Sequence, residues 1–169
     1  MNLTSTRRTF ALRFGSLFSA LGLTAAAFPS RGLAQGSTQD ANTVRKLNED
    51  GKPGSDKNVI MPVIVHNGLI YVSGQGAHDS RDQKEWTIES HTTMVMDKIK
   101  KLVEVGGGTV DSILQTNVFL VKIEHWDAMT KVFGTYFPHG GPTRTTVAVA
   151  ALPGDSLVEI NCIAAITRK

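Results

Sequence analysis

A chain of 169 residues with 41% apolar and 20% charged residues lies in the ordinary globular range, which excludes wholesale disorder and a polytopic membrane protein and leaves one domain with an appendage. Its 16 glycines and 6 prolines are average, so it is neither collagenous nor low-complexity, and its single cysteine excludes a disulfide framework and multi-cysteine zinc or iron–sulfur sites. The net charge of +3 hints at an anionic partner only until the basic residues are located.

Residues 1–34 hold four arginines (Arg7, Arg8, Arg13, Arg31) and no acid. An apolar run from Phe14 to Phe28 follows Thr6-Arg7-Arg8-Thr9-Phe10, and small residues, Gly32 and Ala34, stand at positions −3 and −1 before Gln35. A charged start, an apolar middle and a small-residue exit are the marks of a secretory signal, and the run is shorter than the ~20 residues that span a bilayer. The paired arginines resemble the Tat class, so residues 1–34 are expected to be a Tat-type signal and the protein periplasmic, with no stable membrane association once the signal is removed. Without these residues the chain carries 14 basic and 15 acidic side chains, a net charge of −1. Nucleic acid is therefore not expected as a partner, because phosphate contacts need a clustered basic surface.

Residues 35–57 are polar and rich in Gly, Ser, Asp, Asn and Lys, the composition of a flexible linker, with the ordered domain running over 58–169. Val59–Val65 and Leu69–Val72 read as strands about Asn67-Gly68, a strong hairpin signal, and Ser73-Gly74-Gln75-Gly76 ends the second. A polar loop over 77–86 precedes a helix over 87–105, whose Val95, Ile99, Leu102 and Val103 mark one face before Gly106-Gly107-Gly108 stops it. Ile113–Val121 reads as a strand, and a second helix spans 125–136 with Trp126, Met129, Val132 and Phe133 as its buried stripe. Strands over 143–151 and 157–166 close the chain, joined as a hairpin through Pro153-Gly154. The order ββαβαββ predicts an α+β fold, one sheet with two helices on one face. The other face, bearing Ala148, Ala150, Ile163 and Ala165, predicts burial against copies of the same chain.

Alternation on the last strand sends Val158, Ile160, Cys162 and Ala164 to one side and Glu159, Asn161, Ile163 and Ala165 to the other. Arg144 and Glu159 are charges within otherwise apolar strands, where a charge needs a partner or a task. Read alone, Arg144 suits an interface salt bridge and Glu159 a solvent-facing position. With Pro153-Gly154 as a tight hairpin, Ala148 would face Glu159, and Arg144 would lie roughly 13 Å along the strand. The five histidines show no paired metal spacing, and Cys162 has a core position.

Ile70-Tyr71-Val72-Ser73-Gly74-Gln75, Asn117-Val118-Phe119-Leu120, Pro142-Thr143-Arg144-Thr145-Thr146-Val147 and Leu152-Pro153 through Val158-Glu159-Ile160 resemble the signature blocks of the Rid family, the reactive intermediate deaminases also called the YjgF family. The resemblance implies a chorismate-mutase-like subunit, three of which close into a homotrimeric barrel with a site at each interface. It implies cofactor-independent hydrolysis of 2-imino and enamine acids to 2-oxo acids and ammonia, an enamine/imine deaminase. Arg144 would hold the carboxylate of the small-molecule substrate, Glu159 would position water and handle the proton, and Ser73, Gly74 and Thr146 would line the site. An iminium carbon is already electrophilic, so orientation and proton transfer suffice and no metal or organic cofactor is expected. Thr146 takes a place that many members fill with cysteine, Asn161 one where a second glutamate is common, and the family's early tyrosine is missing near Pro62-Val63. Two other readings stay open: a non-catalytic trimer binding a metabolite or partner in the same clefts, and a nuclease or translation inhibitor, which the mature charge disfavours.

Overall fold

A computed structural model describes residues 43–78 and 86–167. The expected signal over 1–34, the first part of the linker and most of the loop over 77–86 lie outside them. The described chain folds as β1 (Arg45–Leu47), β2 (Val63–His66), β3 (Leu69–Gly76), α1 (Ile88–Gly106), β4 (Ile113–Leu120), α2 (Trp126–Gly134), β5 (Thr143–Ala148) and β6 (Val158–Ala165). One six-stranded sheet takes the order β1-β2-β3-β6-β4-β5.

Local chemistry explains most boundaries. Asn67 and Gly68, both with positive φ (49° and 77°), make the turn of the β2–β3 hairpin that Asn-Gly predicts. The Thr87 side chain caps α1 by accepting from Ser90 N–H, and Ser90 returns the bond. Gly107, at φ 96°, ends the helix in a left-handed cap, and Gly108 N–H reaches back to Val103 O at 3.0 Å. The α1 stripe of Val95, Ile99, Leu102 and Val103 is buried against Val158, Ile160, Cys162 and Ala164 of β6, as their periodicities predict. Helices α1 and α2 pack on each other and on this side of the sheet.

The structure corrects the expected linker. Arg45–Leu47 pairs with β2, Leu47 is buried opposite Val63, and a turn closed by Gly51 N–H to Asn48 O (3.0 Å) brings Pro53 back beside Leu47. The ordered domain therefore begins ahead of residue 58. Conversely, the strand expected from Val59 starts only at Val63: Val59 and Ile60 are 98% and 75% exposed, and Pro62 has no N–H to give a ladder.

The expected hairpin between the last two strands is also absent. β5 lies parallel to β4, as a strand–helix–strand crossover requires, and β6 runs antiparallel between β3 and β4. Pro153–Asp155 form a 3₁₀ turn in which Gly154 and Asp155 adopt positive φ, within a loop that carries the chain past β4. Burial favours this order. The apolar inner residues of β6 gain neighbours on both edges, while the short polar β5 takes the sheet edge. Ala148 consequently pairs with buried Leu120 on the helix side, and Ala150 lies beyond the strand; Ile163 and Ala165 keep the open face.

His91 is fully buried in α1. Its Nδ1 accepts from Leu157 N–H at 3.0 Å, and Trp86 packs edge-on at 4.4 Å. Burial pulls its pKa below the ordinary 6.5, so the unfolded chain binds this proton first. Its contribution is complete above pH ~6.5 and is lost as pH falls from there toward the native value. The urea midpoint is expected to drop between pH 7.5 and 5.5. His91→Asn, which keeps an acceptor but does not titrate, should show a shallower drop; equal slopes in both proteins would refute the assignment.

Candidate functional site

Arg144 is the second residue of β5. It pairs with Thr116, which pairs in turn with Cys162, so all three face the helices. Its guanidinium sits 5.0 Å from the Phe133 ring centre and 5.7 Å from that of Trp126, and Nη2 donates to Thr130 Oγ1 at 3.1 Å. Trp126, Thr130 and Phe133 follow each other at helical spacing on α2, so one helix face builds this cradle. Trp126 was expected in the core; at 42% exposure it borders the guanidinium instead. Burial works against the charge of Arg144, yet a guanidinium stays protonated. Among the described residues no carboxylate pairs with it, and the ion pair present joins Lys52 and Asp50 at 2.8 Å. Thr146, two residues on and on the same side, buries its Oγ1 without a hydrogen-bond partner.

Ser73, Gly74 and Glu159 form a second group. The β3–β6 register runs from Val72 opposite Cys162 to Gln75 opposite Ile160, which makes Ser73-Gly74 a β-bulge. Gln75 Nε2 holds it by donating to Ser73 Oγ (3.0 Å) and Ser73 O (3.2 Å), and Ser73 N–H donates to Pro62 O at 3.0 Å. The bulge lays Gly74 under the Glu159 side chain: a Cβ there would collide with Oε1 and stand 3.0 Å from Cδ. Glycine at 74 is thus what lets the carboxylate lie flat on β3. Glu159 faces the open side of the sheet, as does Asn161, which accepts from Asn117 Nδ2 at 2.9 Å.

The five expected site residues therefore divide. Arg144 and Thr146 sit on the helix side of the edge strand, whereas Glu159 is on the open side two strands away and Ser73 and Gly74 one strand further, on β3. Two strand spacings and three residue rises separate the Arg144 and Glu159 backbones by roughly 14 Å, on opposite faces. A single chain does not unite them. Two clefts of the chain, one at Gln75, Lys98 and Leu102 and one at Tyr136 and Pro138, include neither residue. Burial pushes the Cys162 thiol up to about 12, so it is not a ready nucleophile, as its core position predicts. Among the described residues no group of His, Cys, Asp and Glu has the makings of a metal site, and no helix is long and apolar enough to cross a membrane.

The profile of the family described as endoribonuclease L-PSP matches residues 58–166. Protein mmf2, mitochondrial, of Schizosaccharomyces pombe is 34% identical over 105 residues, covering 60% of this chain and 83% of that protein. A RutC family protein of Saccharolobus solfataricus is 35% identical over 98 residues, covering 57% of this chain and 78% of that one. Among solved structures, YyfA of Yersinia pestis, a protein of unknown function in the conserved Rid family, superposes with a TM-score of 0.63 at 31% identity, over 73% of this chain and all of YyfA. The profile match spans the sheet from β2 to β6 and both helices, and with it both groups of candidate residues: the chain belongs to the endoribonuclease L-PSP family, the YjgF or Rid family of the sequence blocks above.

Proposed function

We propose that this chain hydrolyses 2-imino acids and their enamine tautomers to 2-oxo acids and ammonia, at sites completed between copies of itself in a trimer. The observation that carries the reading is Arg144, a half-buried guanidinium cradled by Trp126, Phe133 and Thr130 with no carboxylate among the described residues to neutralise it. A planar fork in that state suits the two oxygens of a substrate carboxylate. The orphaned Thr146 hydroxyl beside it offers a further polar contact. Glu159 of a neighbouring copy, lying over Gly74, takes a proton from water as the new O–C bond forms and the C=N electron pair moves to nitrogen. The carbinolamine nitrogen is then protonated, the C–N bond breaks as C–O becomes C=O and the hydroxyl proton is released, and the proton held by Glu159 leaves with ammonia as ammonium. Every step is orientation and proton transfer, which side chains alone supply.

The family's descriptive name raises RNA cleavage as the second reading. A net charge of −1 after residue 34 weighs against it. Imines generated in situ by an amino-acid oxidase give the test. Purified protein is expected to accelerate their hydrolysis over buffer in proportion to its concentration and to leave RNA intact. Binding of a 2-oxo acid without turnover would replace this reading with the binding-module one.

Periplasmic placement through a twin-arginine signal rests on Arg7-Arg8 and the Ala34 exit alone. The mitochondrial relative lends it no support. In cell fractionation, a doubly substituted Arg7→Lys/Arg8→Lys protein that still reached the periplasm would overturn that route.

A further inference from the structure

We infer that His78 is a second catalytic group of this site, the acid that protonates the departing nitrogen while Glu159 serves the water; the inference rests on the imine-hydrolase reading above. Gly76 pairs directly with Glu159 across β3 and β6, so the two residues face the same open side of the sheet. The imidazole of His78 occupies the space a side chain at Gly76 would take: a Cβ there would stand 2.5 Å from Cε1 and 2.7 Å from Nε2. Gly154, in the turn before β6, makes room from the other side, where a Cβ would stand 2.6 Å from Nδ1. Two glycines thus seat the ring beside the strand pair that carries Glu159. The carboxylate bends from this point toward Gly74 and the ring lies toward Gly154. With the carboxylate over Gly74 and the ring over Gly76, the two functional groups stand about two residue rises, or roughly 7 Å, apart. That gap admits a carbon bearing both the entering oxygen and the leaving nitrogen.

The chemistry needs such a pair. Attack of water on the iminium carbon forms the O–C bond, sends the C=N pair to nitrogen and leaves the water's proton on Glu159. The resulting neutral amine is a poor leaving group. The His78 imidazolium gives it a proton. The C–N bond then breaks as C–O becomes C=O, and the hydroxyl proton returns to His78. The proton on Glu159 leaves with ammonia as ammonium, so iminium and water become 2-oxo acid and ammonium with both side chains restored. Among the described residues, the charged and titratable groups around the ring are Glu159 on β6, Asp155 in the turn and Lys98 of α1, whose Nζ donates to Gly76 O at 3.0 Å.

The test uses the full chain, with imines generated in situ. His78→Asn is expected to lower kcat about 100-fold with KM little changed and to alter the pH dependence of kcat, because an amide cannot pass a proton. His78→Gly should regain activity with added imidazole, which the Gly76–Gly154 seat admits. Circular dichroism and sedimentation verify folding and assembly of both variants. A His78→Asn protein with wild-type kcat and pH profile would overturn the role of His78 alone. So would a lowered kcat that keeps the wild-type profile, with no imidazole rescue in His78→Gly, which marks a structural part. A wild-type protein with no turnover over buffer would overturn both this role and the imine-hydrolase reading.

Discussion

Arg144→Ala is expected to lower kcat/KM for 2-imino acids by roughly 30- to 1,000-fold, the loss of ~2–4 kcal/mol that a two-pronged charge-assisted contact to a carboxylate carries. The effect should fall equally on binding of a 2-oxo acid, which presents the same carboxylate. Arg144→Lys keeps the charge but not the fork, and an ammonium stacks less well on Phe133 and Trp126, so it should also be impaired. Neither change touches the ladder of β5 on β4, which is backbone, nor a buried ion pair. The folded assembly should therefore persist, and circular dichroism with sedimentation checks it. Unchanged hydrolysis and unchanged 2-oxo acid binding in a folded Arg144→Ala protein would dismiss the deaminase assignment.

Much of the fold is legible in the residues because its signals are local. Asn67-Gly68 specifies a turn by backbone conformation, and Thr87 and Gly107 close α1 by capping. The alternation on β6 separates buried Val158, Ile160, Cys162 and Ala164 from the rest without knowledge of any neighbour. What alternation cannot give is the partner. Pro153-Gly154 reads as a hairpin turn, yet the β4–α2–β5 crossover and the apolar inner side of β6 place that strand between β3 and β4. With the partner wrong, the faces of Arg144 and Glu159 relative to each other are wrong too, since parity is known within a strand and fixed between strands only by register. Strand β1 escapes for a different reason: Arg45-Lys46-Leu47 has one apolar residue and polar neighbours, and only its edge position beside β2 makes it a strand. Trp126 has the spacing of a core residue, and the competing attraction of a guanidinium at the sheet edge is invisible along the chain. The candidate residues themselves were recognisable from their blocks; their division into two groups was not.

That division makes the second large effect measurable. Arg144→Ala and Glu159→Gln should each be nearly inactive alone, because every site then lacks either its carboxylate clamp or its base. Mixed assemblies, formed by co-expression or by refolding the two variants together, should recover activity. If each site takes Arg144 from one copy and Glu159 from the next, a site is intact when the first copy is a Glu159→Gln chain and the second an Arg144→Ala chain. In a random equal mixture both conditions hold for about one quarter of sites in any closed ring, so about one quarter of wild-type kcat returns with a wild-type KM. If one chain supplied both residues, every chain in the mixture would carry a lesion and no site could be repaired. The two arrangements thus differ by a signal large against the background of either variant, and the result does not depend on knowing the number of subunits. Sedimentation equilibrium supplies that number, expected to be three. A protein that stays monomeric at micromolar concentration, or mixtures no more active than their components, would show that Arg144 and Glu159 never meet across an interface, and a shared site would have to be abandoned.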